Sequence, residues 1–140
     1  MRFVDRYPII VTPRLGECRD FWTRYLGFTV AFEANWFVLL QADGGSASLA
    51  FMSPDHPSAP PGADSFSGKG ACFELQVEDA TLAHTVALRA GLPVTLPLTR
   101  EPFGQLRFGF SDPSGLWVDI LEQVEAEPGF WDRYALAEPA

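Results

Sequence analysis

Two short alternating runs carry the side chains that could do chemistry. Residues 71–77 read Ala-Cys-Phe-Glu-Leu-Gln-Val. A period of two puts Cys72, Glu74 and Gln76 on one face of a strand and Phe73, Leu75 and Val77 on the other. Residues 116–122 read Leu-Trp-Val-Asp-Ile-Leu-Glu, so Trp117, Asp119 and Leu121 share a face opposite Val118 and Ile120. A carboxyl that loses water titrates higher, which makes Glu74 a candidate general base, with Asp119 as the second candidate. Cys72 is either a small packing residue or, if ionised, a reactive thiol. No Ser-His-Asp or Cys-His set is visible: His56 lies in a proline-rich stretch and His84 on a helix. Gly44-Gly45 and Gly68-Lys69-Gly70 are turns that open no helix, so neither cradles a phosphate. The two cysteines, Cys18 and Cys72, form no CxxC pair and no disulfide scaffold.

The elements that position these residues occur twice. Arg6–Val11 reads as a strand, and Thr12-Pro13 as a helix start with Thr capping and Pro in the first helical position. The helix runs to about Leu26 and Gly27 ends it. Strands follow at about 28–33, 35–41 and 47–52. In the second half, a strand at 71–77 precedes a helix capped by Asp79 that runs through Ala90 and ends at Gly91. Strands at about 93–97, 105–111 and 116–122 complete it, the last two joined by Asp112-Pro113-Ser114-Gly115, a tight-turn tetrapeptide. Gly27 and Gly91, and Asp43 and Asp112, recur at similar offsets. The expectation is a single α+β domain over 1–140, made of two β-α-β-β-β modules that form a curved mixed sheet with a concave ligand cleft. Module 1 covers about 5–52, a proline- and glycine-rich linker 53–69, module 2 about 70–123, and a tail 124–140 that is acidic, then aromatic and helical at Phe130–Tyr134.

Composition narrows the partners. The chain has 140 residues, 47% hydrophobic and 20% charged, which suits a globular domain. A net charge of −8 argues against nucleic acid and against an anionic membrane surface, and suits a neutral or cationic small molecule. No signal peptide and no run of about 18 apolar residues is present, so a cytoplasmic location is expected.

The run Asp20-Phe21-Trp22-Thr23-Arg24-Tyr25-Leu26-Gly27-Phe28 and the terminal hairpin Asp112-Pro113-Ser114-Gly115-Leu116-Trp117-Val118-Asp119-Ile120-Leu121 resemble signatures of the vicinal oxygen chelate superfamily. That superfamily holds glyoxalase I, extradiol dioxygenases, fosfomycin-resistance enzymes and bleomycin-resistance proteins. The resemblance spans about residues 5–123. It implies metal-donor positions at Tyr7, Ala50, Cys72 and Asp119, a degenerate set, so no metal and no cofactor are expected. By the superfamily's register Arg107 and Gly109 join the cleft, where Arg107 pairs with Asp119, and Phe108 and Phe110 go to the core. The first module's wall is expected to be Tyr7, Ile9, Trp36, Val38, Leu40, Ser48 and Met52. The implied ligand-binding set is therefore Tyr7, Trp36, Val38, Ser48, Met52, Cys72, Glu74, Gln76, Arg107, Trp117 and Asp119, in a homodimer that sequesters an aromatic, neutral or cationic, antibiotic-like compound. The alternatives are a metal-dependent glyoxalase-like lyase, isomerase or dioxygenase with an unusual ligand set, and a cofactor-free enzyme using Glu74 or Asp119 as base.

Overall fold

The computed structural model describes residues 1–45, 47–57, 60 and 64–136. Linker positions 58–59 and 61–63 and tail positions 137–140 lie outside the described residues. The element order is β1 (Ile9–Val11), α1 (Leu15–Leu26), β2 (Thr29–Ala34), β3 (Phe37–Gln41) and β4 (Ser48–Met52), then β5 (Cys72–Gln76), α2 (Ala80–Arg89), β6 (Leu96–Glu101), β7 (Gln105–Ser111) and β8 (Trp117–Gln123). The same β-α-β-β-β order thus occurs twice, in an α+β fold of two four-stranded mixed sheets ordered β1-β4-β3-β2 and β5-β8-β7-β6. In each, the first strand pairs parallel with the last. No helix among the described residues is long and apolar enough to cross a membrane.

The chain divides into two compact units. The first holds Met1–Ala71 and Ser111–Leu116; the second holds Cys72–Phe110 and Trp117–Ala140. In the first, α1 lays Cys18, Phe21 and Trp22 on its sheet, with the Trp22 ring 6.4 Å from Phe51 and edge-on to Phe28 at 4.9 Å. Direct pairing places Val38 opposite Phe51 and Leu40 opposite Leu49, so these four fill the layer under α1. The turn Asp112–Gly115 belongs to this unit, and its Asp112 carboxylate is buried: Oδ1 accepts from the Ser114 N–H (2.8 Å), the Ser114 hydroxyl (2.6 Å) and the Leu116 N–H (3.0 Å), and Oδ2 from the Trp22 indole N–H (2.9 Å). Burial, then the Asp112 charge, push the adjoining Cys18 thiol up to about 12. In the second unit Phe108, Phe110, Val118 and Ile120 are buried, together with Ala80 and Ala87 of α2. The His84 ring of α2 meets Phe108 edge-on at 5.1 Å.

Three local expectations are corrected. Thr12 does not cap α1: its N–H bonds to the Met52 carbonyl as a continuation of β1, its hydroxyl accepts from the Arg14 N–H, and the helix begins at Leu15. The strand expected at 93–97 forms at Leu96–Glu101, because Gly91 and Leu92 first close the end of α2 through bonds to Leu88 and Ala87. The aromatic tail forms only a short 3-10 turn, Trp131–Arg133, with the Trp131 indole N–H on the Phe103 carbonyl. By contrast, Asp79 caps α2 through the Leu82 N–H, and Gly27 takes the left-handed conformation that ends α1.

Candidate functional site

Parallel pairing of β5 with β8 sets Cys72 opposite Trp117, Glu74 opposite Asp119 and Gln76 opposite Leu121. These residues share one face of the second unit's sheet, and Phe73 and Leu75 share the other with Val118 and Ile120. β7 adds Arg107 and Gly109 to the first face. Arg107 Nη1 donates to Asp119 Oδ1 at 3.1 Å, and the Trp117 indole N–H donates to the same oxygen at 2.9 Å. Gly109 leaves room for this arrangement: a Cβ there would overlap Trp117 Cζ2 and lie 2.9 Å from Asp119 Oδ1. The Cys72 thiol donates to Glu74 Oε1 at 3.6 Å, and the Gln123 amide donates to the Gln76 side-chain carbonyl at 3.4 Å.

Two residues beyond those expected from the sequence complete this face. Glu101 Oε1 lies 3.6 Å from Arg107 Nε, so the guanidinium sits between two carboxylates. Glu101 pairs with Gln105 across the β6–β7 hairpin, two residues from Arg107 and therefore on its face. Placing the sixth strand three residues too early leaves Glu101 in a loop, which hides this neighbour. Gln123 was likewise missed, although it lies two residues beyond Leu121 on the alternating face.

The first unit redistributes its expected wall. Val38 and Leu40 face α1 rather than the opposite side, because their partners are Phe51 and Leu49. The residues sharing a face with Ser48, Ala50 and Met52 are Gln41, Leu39 and Phe37, together with Ile9 and Val11 of β1. The expected alternation runs Trp36-Val38-Leu40 and is out by one position. Trp36 occupies the β2–β3 turn, where its ring stacks on His56 at 3.5 Å and 6°. Tyr7 precedes β1 and is exposed.

Electrostatics separate the two carboxyls. Glu74 is pushed up to about 7, first by loss of solvent and next by its hydrogen bond to Asp119 and the Asp119 charge; the Cys72 thiol and Arg107 pull the other way. Near neutral pH Glu74 is therefore only partly ionised, and its protonated form donates to Asp119, whose Oδ1 already accepts two bonds. Desolvation, then Glu74, raise the Cys72 thiol, so it is a thiol rather than a thiolate at neutral pH. Because Glu74 binds its proton more tightly folded than unfolded, its contribution to stability is full below about pH 4.5 and is lost as pH rises through about 7. Glu74→Gln keeps the donated hydrogen bond and removes the titration. Chemical denaturation from pH 5 to 8 is expected to show a shallower decline for the variant, by less than about 1 kcal/mol because the carboxyl is largely solvent-screened. An identical slope in both proteins would show that the carboxyls do not share a proton.

The donor positions implied by the resemblance do not fit a divalent ion. Ala50 has no donor atom, Tyr7 is a phenol, Cys72 is protonated, and Asp119 Oδ1 is engaged by Arg107 and Trp117. Among the described residues no three His, Cys, Asp or Glu are placed to hold an ion.

This twofold arrangement has known counterparts. A Glyoxalase/Bleomycin resistance protein/Dioxygenase superfamily model matches residues 5–120. None of the curated proteins matches the sequence. Among solved structures, a glyoxalase/bleomycin resistance protein/dioxygenase from Nocardioides is 20% identical, with 92% of this chain and 89% of that one covered at a TM-score of 0.74. A glyoxalase/bleomycin resistance protein/dioxygenase from Alicyclobacillus acidocaldarius is 17% identical over 86% and 91% at 0.65. A lactoylglutathione lyase from Agrobacterium tumefaciens is 16% identical over 87% and 95% at 0.68. At these identities the structures bear on fold alone, but the family match covers most of the sequence. The chain belongs to the Glyoxalase/Bleomycin resistance protein/Dioxygenase superfamily.

Proposed function

We propose that this protein binds and sequesters a small aromatic compound, neutral or cationic and antibiotic-like, without a metal. The observation that carries this reading is the state of the polar face of the second unit. Asp119 is satisfied by Arg107 and Trp117, the Cys72 thiol is protonated, and Glu74 and Gln76 remain as exposed hydrogen-bonding groups beside a half-buried indole. Such a face recognises by stacking and a few oriented hydrogen bonds, as small-molecule sites do, and offers no coordinating set. The acidic charge of the chain favours a cationic guest over an anionic one. On this reading the ligand-binding residues are Trp117, Glu74, Gln76 and Cys72, with Arg107 and Asp119 holding the indole in place. The working form is a cytoplasmic homodimer; a sedimenting species of 15.4 kDa alone would remove the dimer.

The test is a thermal-shift and tryptophan-quenching screen with planar aromatic cations and their neutral isosteres, since a ligand of the native state raises the melting temperature. Trp117→Ala is expected to weaken a bound compound about tenfold, the loss of one aromatic face. Unchanged affinity in Trp117→Ala would sink the proposed site. A second reading, a cofactor-free enzyme with Glu74 as base, is favoured by the titration of Glu74 near 7. It requires turnover of a bound compound that Glu74→Gln abolishes while binding persists.

A further inference from the structure

We infer that Arg107 is the internal cation of this site, the charge that neutralises Asp119 and Glu101 from the gap between them. Its guanidinium lies 3.1 Å from Asp119 Oδ1 and 3.6 Å from Glu101 Oε1, and all three side chains are largely covered, Asp119 at 5% exposed, Glu101 at 19% and Arg107 at 26%. Glu74 and the Cys72 thiol adjoin the same carboxylate from β5. One fixed positive charge therefore serves three carboxyl groups. Trp117 directs its N–H at the shared oxygen, so both donors on Asp119 Oδ1 come from the chain itself. Arg107 Nε is buried without a hydrogen-bond partner, 3.6 Å from Glu101 Oε1. The guanidinium thus fits this gap as a point charge more than as a fully bonded fork. A buried carboxylate without a cation is costly, and a fixed arginine meets that need at every metal concentration. This role for Arg107 rests on the metal-free binding proposed above and explains how the fold can dispense with an ion.

Removing the guanidinium should open the gap to a cation from solution. The probe is Tb3+, an oxygen-seeking ion whose emission is sensitised by a nearby indole, here Trp117. The wild-type protein is expected to show no Asp119-dependent sensitised emission. Arg107→Ala is expected to bind Tb3+ about a hundredfold more tightly than wild type, the change that follows from deleting a unit positive charge a few ångströms away. Arg107→Lys, which keeps the charge, should stay dark, and Arg107→Ala combined with Asp119→Asn should lose the emission. If Arg107→Ala does not fold alone, Tb3+ should restore its near-ultraviolet circular dichroism. A folded Arg107→Ala protein that stays dark, an unfolded one that Tb3+ does not restore, or Asp119-dependent emission from the wild type would each overturn the inference. None of these outcomes depends on an organic ligand, so failure of the sequestering role would show separately, in the quenching screen.

Discussion

Asp112→Ala is expected to lower stability by about 3–5 kcal/mol, because it removes at once the acceptor of four hydrogen bonds at a buried position. Each bond to a charged acceptor contributes about 1.5–3 kcal/mol singly, but the four share one carboxylate and do not add. For a chain of this size the loss corresponds to a fall in Tm of about 10–15 °C. Asp112→Asn rescues little: whichever way its amide turns, an NH2 faces either the Trp22 N–H or the donors of Ser114 and Leu116. Ser114→Ala, which loses the hydroxyl's bond to Asp112 and its longer contact with the Leu116 N–H at 3.4 Å, is expected to cost about 1 kcal/mol. The local consequence can be read at Cys18, whose thiol is buried and held up to about 12. Opening of the turn would expose it to a thiol reagent, so labelling should accelerate in Asp112→Ala. A Tm within about 2 °C of wild type would refute the role assigned to this carboxylate.

This turn shows what the sequence makes legible. Asp112-Pro113-Ser114-Gly115 announces itself through residue types that favour turns, and Gly27, Asp79 and Gly91 mark helix ends by equally local chemistry. What escapes is the partner: nothing local says that Asp112 will meet Trp22, which lies far away in sequence. The same divide runs through the site. On β5 and β8 the strict alternation of polar and apolar residues fixes which side each faces, and Cys72, Glu74, Gln76, Trp117 and Asp119 share a face as their spacing requires. On β3 nearly every residue is apolar (Phe37, Val38, Leu39, Leu40), so alternation carries no information and the register came out one residue off. Glu101 stayed hidden because Pro93 and Pro97 blur where β6 begins, and only a correct strand brings it to Arg107. Glu74 was recognisable as a candidate base from its place on the strand, whereas its shared proton depends on the carboxyl facing it.

Gly109 tests whether the face of the second unit is assembled as described. The glycine sits in the middle of β7 at a negative φ, so its backbone accepts any residue and a substitution there costs only what its side chain displaces. That displacement is specific. An added Cβ overlaps the Trp117 ring and crowds Asp119 Oδ1, so the indole must swing away and give up its hydrogen bond to that oxygen. Gly109→Ala is expected to lower stability by about 2 kcal/mol, the ordinary cost of one excess methyl in a packed site plus one lost bond. Binding of any compound that stacks on Trp117 should fall with it. The helix-facing side of the sheet, Phe108, Phe110 and Val118, is untouched and should keep its packing. A double-mutant cycle isolates the cause. In a Trp117→Ala background the methyl no longer strikes the indole, and Gly109→Ala should then cost less than about 1 kcal/mol, leaving a coupling of at least about 1 kcal/mol between the two positions. The double variant would lose less stability than the two single losses added together, while stacking would not return, since the ring itself is gone. If the two substitutions were additive, the indole would not lie over Gly109, and the face that brings together Trp117, Asp119 and Arg107 would have to be redrawn.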